Sequence, residues 1–207
     1  LRRVVAGADR RQPFCLAQRG WRQAHRAGHF ADAEGCCMSA VPHFAIIGAG
    51  SWGTALAIVI NRAGSRVTLC TRNENVRQQI ETKRVNEVYL PGMFVDPDIH
   101  VTTDFSAAAK EADYVLIATP SQQLRPICIA LSDQLAREVP MIIASKGIER
   151  GSLLLMSEVV HSILPNNQVM ILSGPNFAGE AASGLPTATT VAGLSRTKTE
   201  KLIYAMS

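Results

Sequence analysis

The chain predicts a doubly wound α/β fold with a mostly parallel sheet, and three observations carry that prediction. Short apolar runs recur at residues 43–47, 66–71, 114–118, 140–144 and 169–172. Segments of helical length lie between them. The first run leads straight into clustered glycines and then into an apolar stretch long enough for a buried helix. Strands that read as unbroken hydrophobics, alternating with helices, belong to a parallel sheet covered on both faces.

Taken in order, His43-Phe44-Ala45-Ile46-Ile47 predicts the first strand. Thr54-Ala55-Leu56-Ala57-Ile58-Val59-Ile60 predicts a buried helix, which Gly64 closes. Arg66-Val67-Thr68-Leu69-Cys70-Thr71 is the second strand, and the three pieces together have the length of one strand-helix-strand crossover. The runs 114–118, 140–144 and 169–172 supply further strands, and residues 181–207 include a terminal helix carrying Lys198 and Lys201 on its solvated side.

Composition agrees with one full-sized domain. The chain has 207 residues, 47% hydrophobic and 18% charged, which excludes a disordered or fibrous protein. Its apolar runs are interrupted too often to provide the roughly 20 residues of a membrane span, so a soluble protein is expected. The net charge of +4 is confined to residues 1–40, which hold seven Arg against Asp9, Asp32 and Glu34. The remainder balances fourteen bases with fourteen acids, so nothing in it calls for nucleic acid or a membrane surface. Cys15, Cys36, Cys37, Cys70 and Cys128 show neither CxxC spacing nor a metal-ligand pattern. Reduced thiols in a cytoplasmic compartment are expected, and no metal.

Residues 1–40 read as an Arg-rich extension outside the core, and 41–207 as the folded domain. Met38 stands just before the regular pattern, so residues 1–37 read as upstream sequence or a cloning remnant. A targeting peptide is the alternative, opposed by low Ser content and three acids.

Gly48-Ala49-Gly50-Ser51-Trp52-Gly53 fits G-x-G-x-x-G in its required setting, directly after a strand and opening a helix. This makes the fold Rossmann-type and the ligand a dinucleotide. Gly48 permits the tight turn, Gly50 lets a pyrophosphate approach bare backbone, and Gly53 lets the helix lie close to the strand. The free amides of the helix start, at Ser51 and Trp52, face the anion. At the end of the second strand Arg72 stands where an acid would select NAD; a base there favours NADP without excluding NAD.

Ligands of open parallel sheets bind beyond the carboxyl ends of the strands. Those positions hold Thr119-Pro120-Ser121-Gln122, Ser145-Lys146-Gly147 and Ser173-Gly174-Pro175-Asn176-Phe177-Ala178. Lys146 is the candidate catalytic cation, placed to bind a substrate oxygen and stabilise negative charge as hydride arrives. Gly174 and Asn176 offer amides to the same substrate.

Four ordered motifs are more specific: Gly48 to Ala57, Asn86-Glu87-Val88-Tyr89-Leu90-Pro91-Gly92, Ser145-Lys146-Gly147-Ile148-Glu149, and Ser173-Gly174-Pro175-Asn176-Phe177-Ala178-Gly179-Glu180. Over residues 43–207 the chain resembles the amino-terminal half of bacterial NAD(P)-dependent glycerol-3-phosphate dehydrogenase. The resemblance implies reduction of dihydroxyacetone phosphate to sn-glycerol 3-phosphate for glycerophospholipid synthesis, in the cytoplasm. It implies cofactor contacts at Ser51, Trp52, Arg72, Lys146 and Ala178, and contacts to the phosphorylated triose at Lys146, Gly174 and Asn176, where the family commonly has Ser or Thr. It also allows a homodimer of the full-length enzyme.

The family's second lysine, which transfers the proton, lies in a helical carboxy-terminal domain that this sequence does not reach. The chain is therefore expected to be a fragment that binds cofactor and turns over poorly, since loss of general acid catalysis alone costs about 10² to 10⁴ in rate. Two alternatives stand beside this reading. One is another two-domain dehydrogenase acting on a hydroxy acid, ketopantoate or a sugar nucleotide; the other is a dinucleotide-binding module without catalysis. For the cofactor choice, Arg72→Asp is expected to weaken NADPH binding more than NADH binding in parallel titrations. Equal losses would remove the assignment.

Overall fold

The computed structural model describes residues 2–5, 41–135 and 139–207. Ten strands and seven α-helices are assigned among them, and an eight-stranded sheet runs through the middle. Strand β2 (His43–Ile47) is buried at every position and sits near its centre. Helix α1 (Ser51–Arg62) follows the glycines and starts three residues before the expected Thr54. Gly64, with φ of 96°, turns the chain just past its end. The chain then enters β3 (Arg66–Cys70), α2 (Glu74–Lys83) and a two-stranded hairpin of β4 (Val85–Asn86) and β5 (Leu90–Phe94). Strand β6 (His100–Thr102) and helix α3 (Phe105–Lys110) complete the first half.

The second half is built from β7 (Tyr114–Ile117), α4 (Leu124–Leu131), β8 (Met141–Ile143), α5 (Met156–Ile163) and β9 (Val169–Ser173). After it come α6 (Ala178–Ser183), β10 (Ala188–Gly193) and α7 (Arg196–Ala205), the last confirming the expected terminal helix. Six strands lie in the order β6-β3-β2-β7-β8-β9, all parallel. That is the doubly wound order, with its reversal between β2 and β7. No helix among the described residues is long and apolar enough to cross a membrane.

Strand side chains alternate across the sheet, and the core divides accordingly. Phe44, Ile46, Val67, Leu69, Leu116 and Ile142 face the layer that includes α1 and α7. Ala45, Ile47, Val115, Ile117, Met141 and Ile143 face the layer of α3, α4 and α5. Burial on both faces is why these strands read as continuous apolar runs.

The edges differ from the sequence expectation. Strand β10 runs antiparallel to β9, and Arg2–Val5 forms β1, pairing in parallel with β10. Four residues of the Arg-rich extension thus pair at the rim of the sheet. The rest of that segment, with Cys15, Cys36 and Cys37, lies outside the described residues. Cys70 and Cys128 are free and buried, and burial pushes both thiols up to about 12.

Candidate functional site

The site begins where β2 ends. Gly48 has φ of 113°, and its amide donates to the Cys70 carbonyl at 2.8 Å, locking the turn to the end of β3. A Cβ on Gly48 would lie 2.7 Å from the Ala118 carbonyl oxygen, and one on Gly53 only 1.8 Å from the Gly48 oxygen. Both positions are closed to any side chain. Gly50 is the opposite case, because a Cβ there would meet nothing within 4 Å. Its φ of −72° is open to every residue, so neither packing nor backbone conformation explains the glycine. Helix α1 starts at this point with no side-chain cap and no acid in its first turn. Its amides and positive dipole end are left for an anion.

Neighbouring elements close in around this turn. Arg72, exposed, lies two residues past the Cys70 carbonyl that holds Gly48 and has no ion-pair partner among the described residues. Helix α6 packs on α1, so that Ala178 and Trp52, both half-buried, lie against the same core cluster. Ser51 donates its hydroxyl to the Tyr89 carbonyl at 2.6 Å.

Across the reversal point, β7, β8 and β9 present their carboxyl ends side by side. Ser145 donates to the Thr119 carbonyl at 2.6 Å, tying the loop after β8 to the loop after β7. Lys146 is exposed, and its Nζ reaches the Gly174 carbonyl at 3.5 Å. The structure thus brings together two residues that the sequence assigned to one substrate. Gly174 is a glycine for packing reasons, since a Cβ would lie 2.5 Å from the Ala188 oxygen. The Asn176 Nδ2 donates to Thr189 Oγ1 at 2.6 Å, which ties the turn to β10.

The loop that carries Lys146 is braced from below. Arg125 on α4 makes a two-pronged ion pair with Glu149, both contacts at 2.8 Å, and Ser152 donates to the same carboxylate. Gln122 donates to the Ile148 carbonyl at 2.9 Å and accepts from the Arg150 amide at 3.0 Å. Hydrogen bonds from Arg125 and then Ser152 hold the Glu149 carboxyl down to about 2, and the pairing raises the Arg125 value in turn.

Residues 43–199 match the family model described as the NAD-dependent glycerol-3-phosphate dehydrogenase N-terminus. The chain belongs to that family. It is 42% identical over 166 residues to glycerol-3-phosphate dehydrogenase [NAD(P)+] of Rhodospirillum rubrum, covering 80% of this chain and 48% of that protein. With the enzyme of the same name from Bradyrhizobium diazoefficiens it shares 44% identity over 169 residues, covering 82% and 51%. The crystal structure of glycerol-3-phosphate dehydrogenase from Coxiella burnetii superposes with a TM-score of 0.76 at 30% identity, over 81% of this chain and 51% of that one. The chain spans about half the length of the curated relatives it matches.

Within this dehydrogenase domain, the vacant Cβ direction at Gly50 and the bare start of α1 are what a pyrophosphate needs, and the residues present fit a nicotinamide dinucleotide. One group of contacts was missed from the sequence. Asn86 is fully buried, and its Nδ2 donates to the Ala49 carbonyl at 2.9 Å and to Thr54 Oγ1 at 2.8 Å. Its Asn86-to-Gly92 motif is one of the four that carry the family resemblance, but an isolated polar residue in a sequence does not announce its partners.

The two inner glycines should separate folding from binding. Gly53→Ala is expected to cost about 3 kcal/mol or more in chemical denaturation, because backbone must move to admit the methyl. Gly50→Ala should stay within about 1 kcal/mol of the parent protein, yet lose about tenfold or more in dinucleotide affinity by calorimetry. The pairing of Glu149 makes a further prediction. Its stabilising contribution is complete above the ordinary glutamate value and is lost as pH falls toward about 2. The stability of Glu149→Gln should therefore converge on that of the parent protein across that window. A constant gap between them down to pH about 2 would refute the assignment.

Proposed function

We propose that the chain is the cofactor-binding half of an oxidoreductase that reduces dihydroxyacetone phosphate to sn-glycerol 3-phosphate. The observation that carries this reading is the cradle at Gly50, open to a ligand and lying at the uncapped start of α1 beside the reversal of strand order. Family membership narrows the chemistry to a glycerol-3-phosphate dehydrogenase.

In this reading Gly48, Gly50, Ser51, Trp52 and Gly53 hold the pyrophosphate end of the dinucleotide. Arg72 sits beside the adenosine ribose, where its charge favours the extra phosphate of NADPH. Ala178, on the side of α1 that carries Trp52, supplies a further cofactor contact. The bound dinucleotide supplies the hydride. Lys146 binds the substrate oxygen and stabilises the charge that develops on it, while its contact with the Gly174 carbonyl holds the ammonium at the end of the sheet. Gly174 and Asn176 line the same turn as substrate contacts. The reaction serves glycerophospholipid synthesis in the cytoplasm, a compartment compatible with free buried Cys70 and Cys128. A homodimer of the full-length enzyme is compatible with this reading.

Two measurements test the proposal. Calorimetric titration of the folded chain should detect uptake of NADH or NADPH, and no heat with either would overturn the cofactor reading. In a protein extended through the remaining half of its relatives' length, dihydroxyacetone phosphate should drive NADPH oxidation. There, Lys146→Met is expected to lower kcat/KM by about 10² to 10³. An unchanged value would remove Lys146 from the chemistry.

A further inference from the structure

We infer that Asn86 is the positioning residue of the phosphate-binding turn, setting the orientation of the peptide on which the dinucleotide rests. The inference rests on the cofactor reading above and adds to it a residue outside the glycine motif. The juxtaposition is specific. Asn86 belongs to the short hairpin of β4 and β5, outside the main sheet, yet it is fully buried against the glycine turn. A single side-chain amide spans the segment that matters: Nδ2 donates to the Ala49 carbonyl, one residue before Gly50, and to Thr54 Oγ1, four residues after it. Its Oδ1 accepts from the Tyr89 amide at 3.2 Å, which fixes the side chain to its own hairpin.

Each of these bonds has a consequence for the turn. In a trans peptide the carbonyl and the N–H point in opposite directions, so fixing the Ala49 oxygen also fixes the direction of the Gly50 N–H. Gly50 has no Cβ, and the space beside it is open, so no side chain of its own steadies the turn at this peptide. Thr54 is fully buried on α1, so the second bond ties the first helical turn to the same anchor. Ser51 completes the arrangement by donating to the Tyr89 carbonyl. The hairpin therefore grips residues 49, 51 and 54 and presents the intervening amides already arranged for an anion. Preorganised donors bind a charge without a reorganisation cost, which is where the affinity comes from.

The test uses the 207-residue chain with NADH as probe. Asn86→Asp keeps the shape and the Tyr89 bond but replaces the donor with a carboxylate facing the Ala49 carbonyl. Thr54→Val removes only the other acceptor. We expect Asn86→Asp to weaken NADH binding about ten- to hundredfold and Thr54→Val by no more than about threefold. At saturation, the ³¹P resonances of NADH bound to Asn86→Asp should move toward those of free NADH. A variant that is merely less stable would bind less NADH with unchanged bound resonances, and that result overturns the inference. Equal affinity in Asn86→Asp and the parent protein overturns it too, and leaves the cofactor reading standing. Failure of the parent protein itself to bind NADH or NADPH overturns both. A measurement on the parent protein needs no variant: the Asn86 side-chain NH₂ resonances should shift when NADH binds, and fixed resonances under saturation count against the inference.

Discussion

The Gly48 carbonyl and Gly53 lie so close that a methyl group placed on Gly53 would overlap the oxygen at 1.8 Å. Much of the molecule follows from this approach. It brings the start of α1 onto the end of β2, so the free amides of the helix open at the carboxyl edge of the sheet rather than over its face. It also explains why Gly53 cannot be replaced even in a protein that binds nothing, as the Ala118 carbonyl does for Gly48. Only Gly50 is left over by that steric account, and a residue unexplained by its own protein points to something outside it. A turn selected for compactness alone would have tolerated a side chain there.

The side of the site around Lys146 and Gly174 is organised by a different constraint. Strand β10 runs antiparallel to β9, and its Ala188 carbonyl lies where any side chain on residue 174 would have to go. The reversed strand thus shapes the Gly174-Pro175 turn, and Thr189 on the same strand holds the Asn176 amide. Lys146 approaches the turn from β8, on a loop clamped by Arg125, Glu149 and Gln122. A flexible cation is thereby carried by a stiff base. That arrangement suits a group which must meet a small oxygen anion at one place.

How legible all this was depended on the range of the interaction. Strands β2, β3, β7 and β8 declared themselves because burial on both faces leaves a continuous apolar run, β9 because its run is apolar even though Ile171 is exposed, and the glycine turn because its spacing is a local steric requirement. The meeting of Lys146 with Gly174 was foreseeable from the rule that strand ends gather at one edge. Strand β6 escaped notice at three residues with only Val101 buried, and β10 because its Ala-Thr-Thr-Val-Ala-Gly sequence carries little apolar signal. Asn86 was beyond reach for a different reason. Its partners Ala49 and Thr54 lie 37 and 32 residues away, and no periodicity encodes a bond over that separation.

Asn176 shows the limit of reading a residue by its type. As a side-chain amide beside a glycine turn at a strand end, it had every local attribute of a substrate donor. In the fold its nitrogen is directed at Thr189, within reach of the space that a Cβ on Gly174 would have claimed. The two residues are therefore one device: the glycine makes room, the amide occupies it, and the turn is fixed to β10.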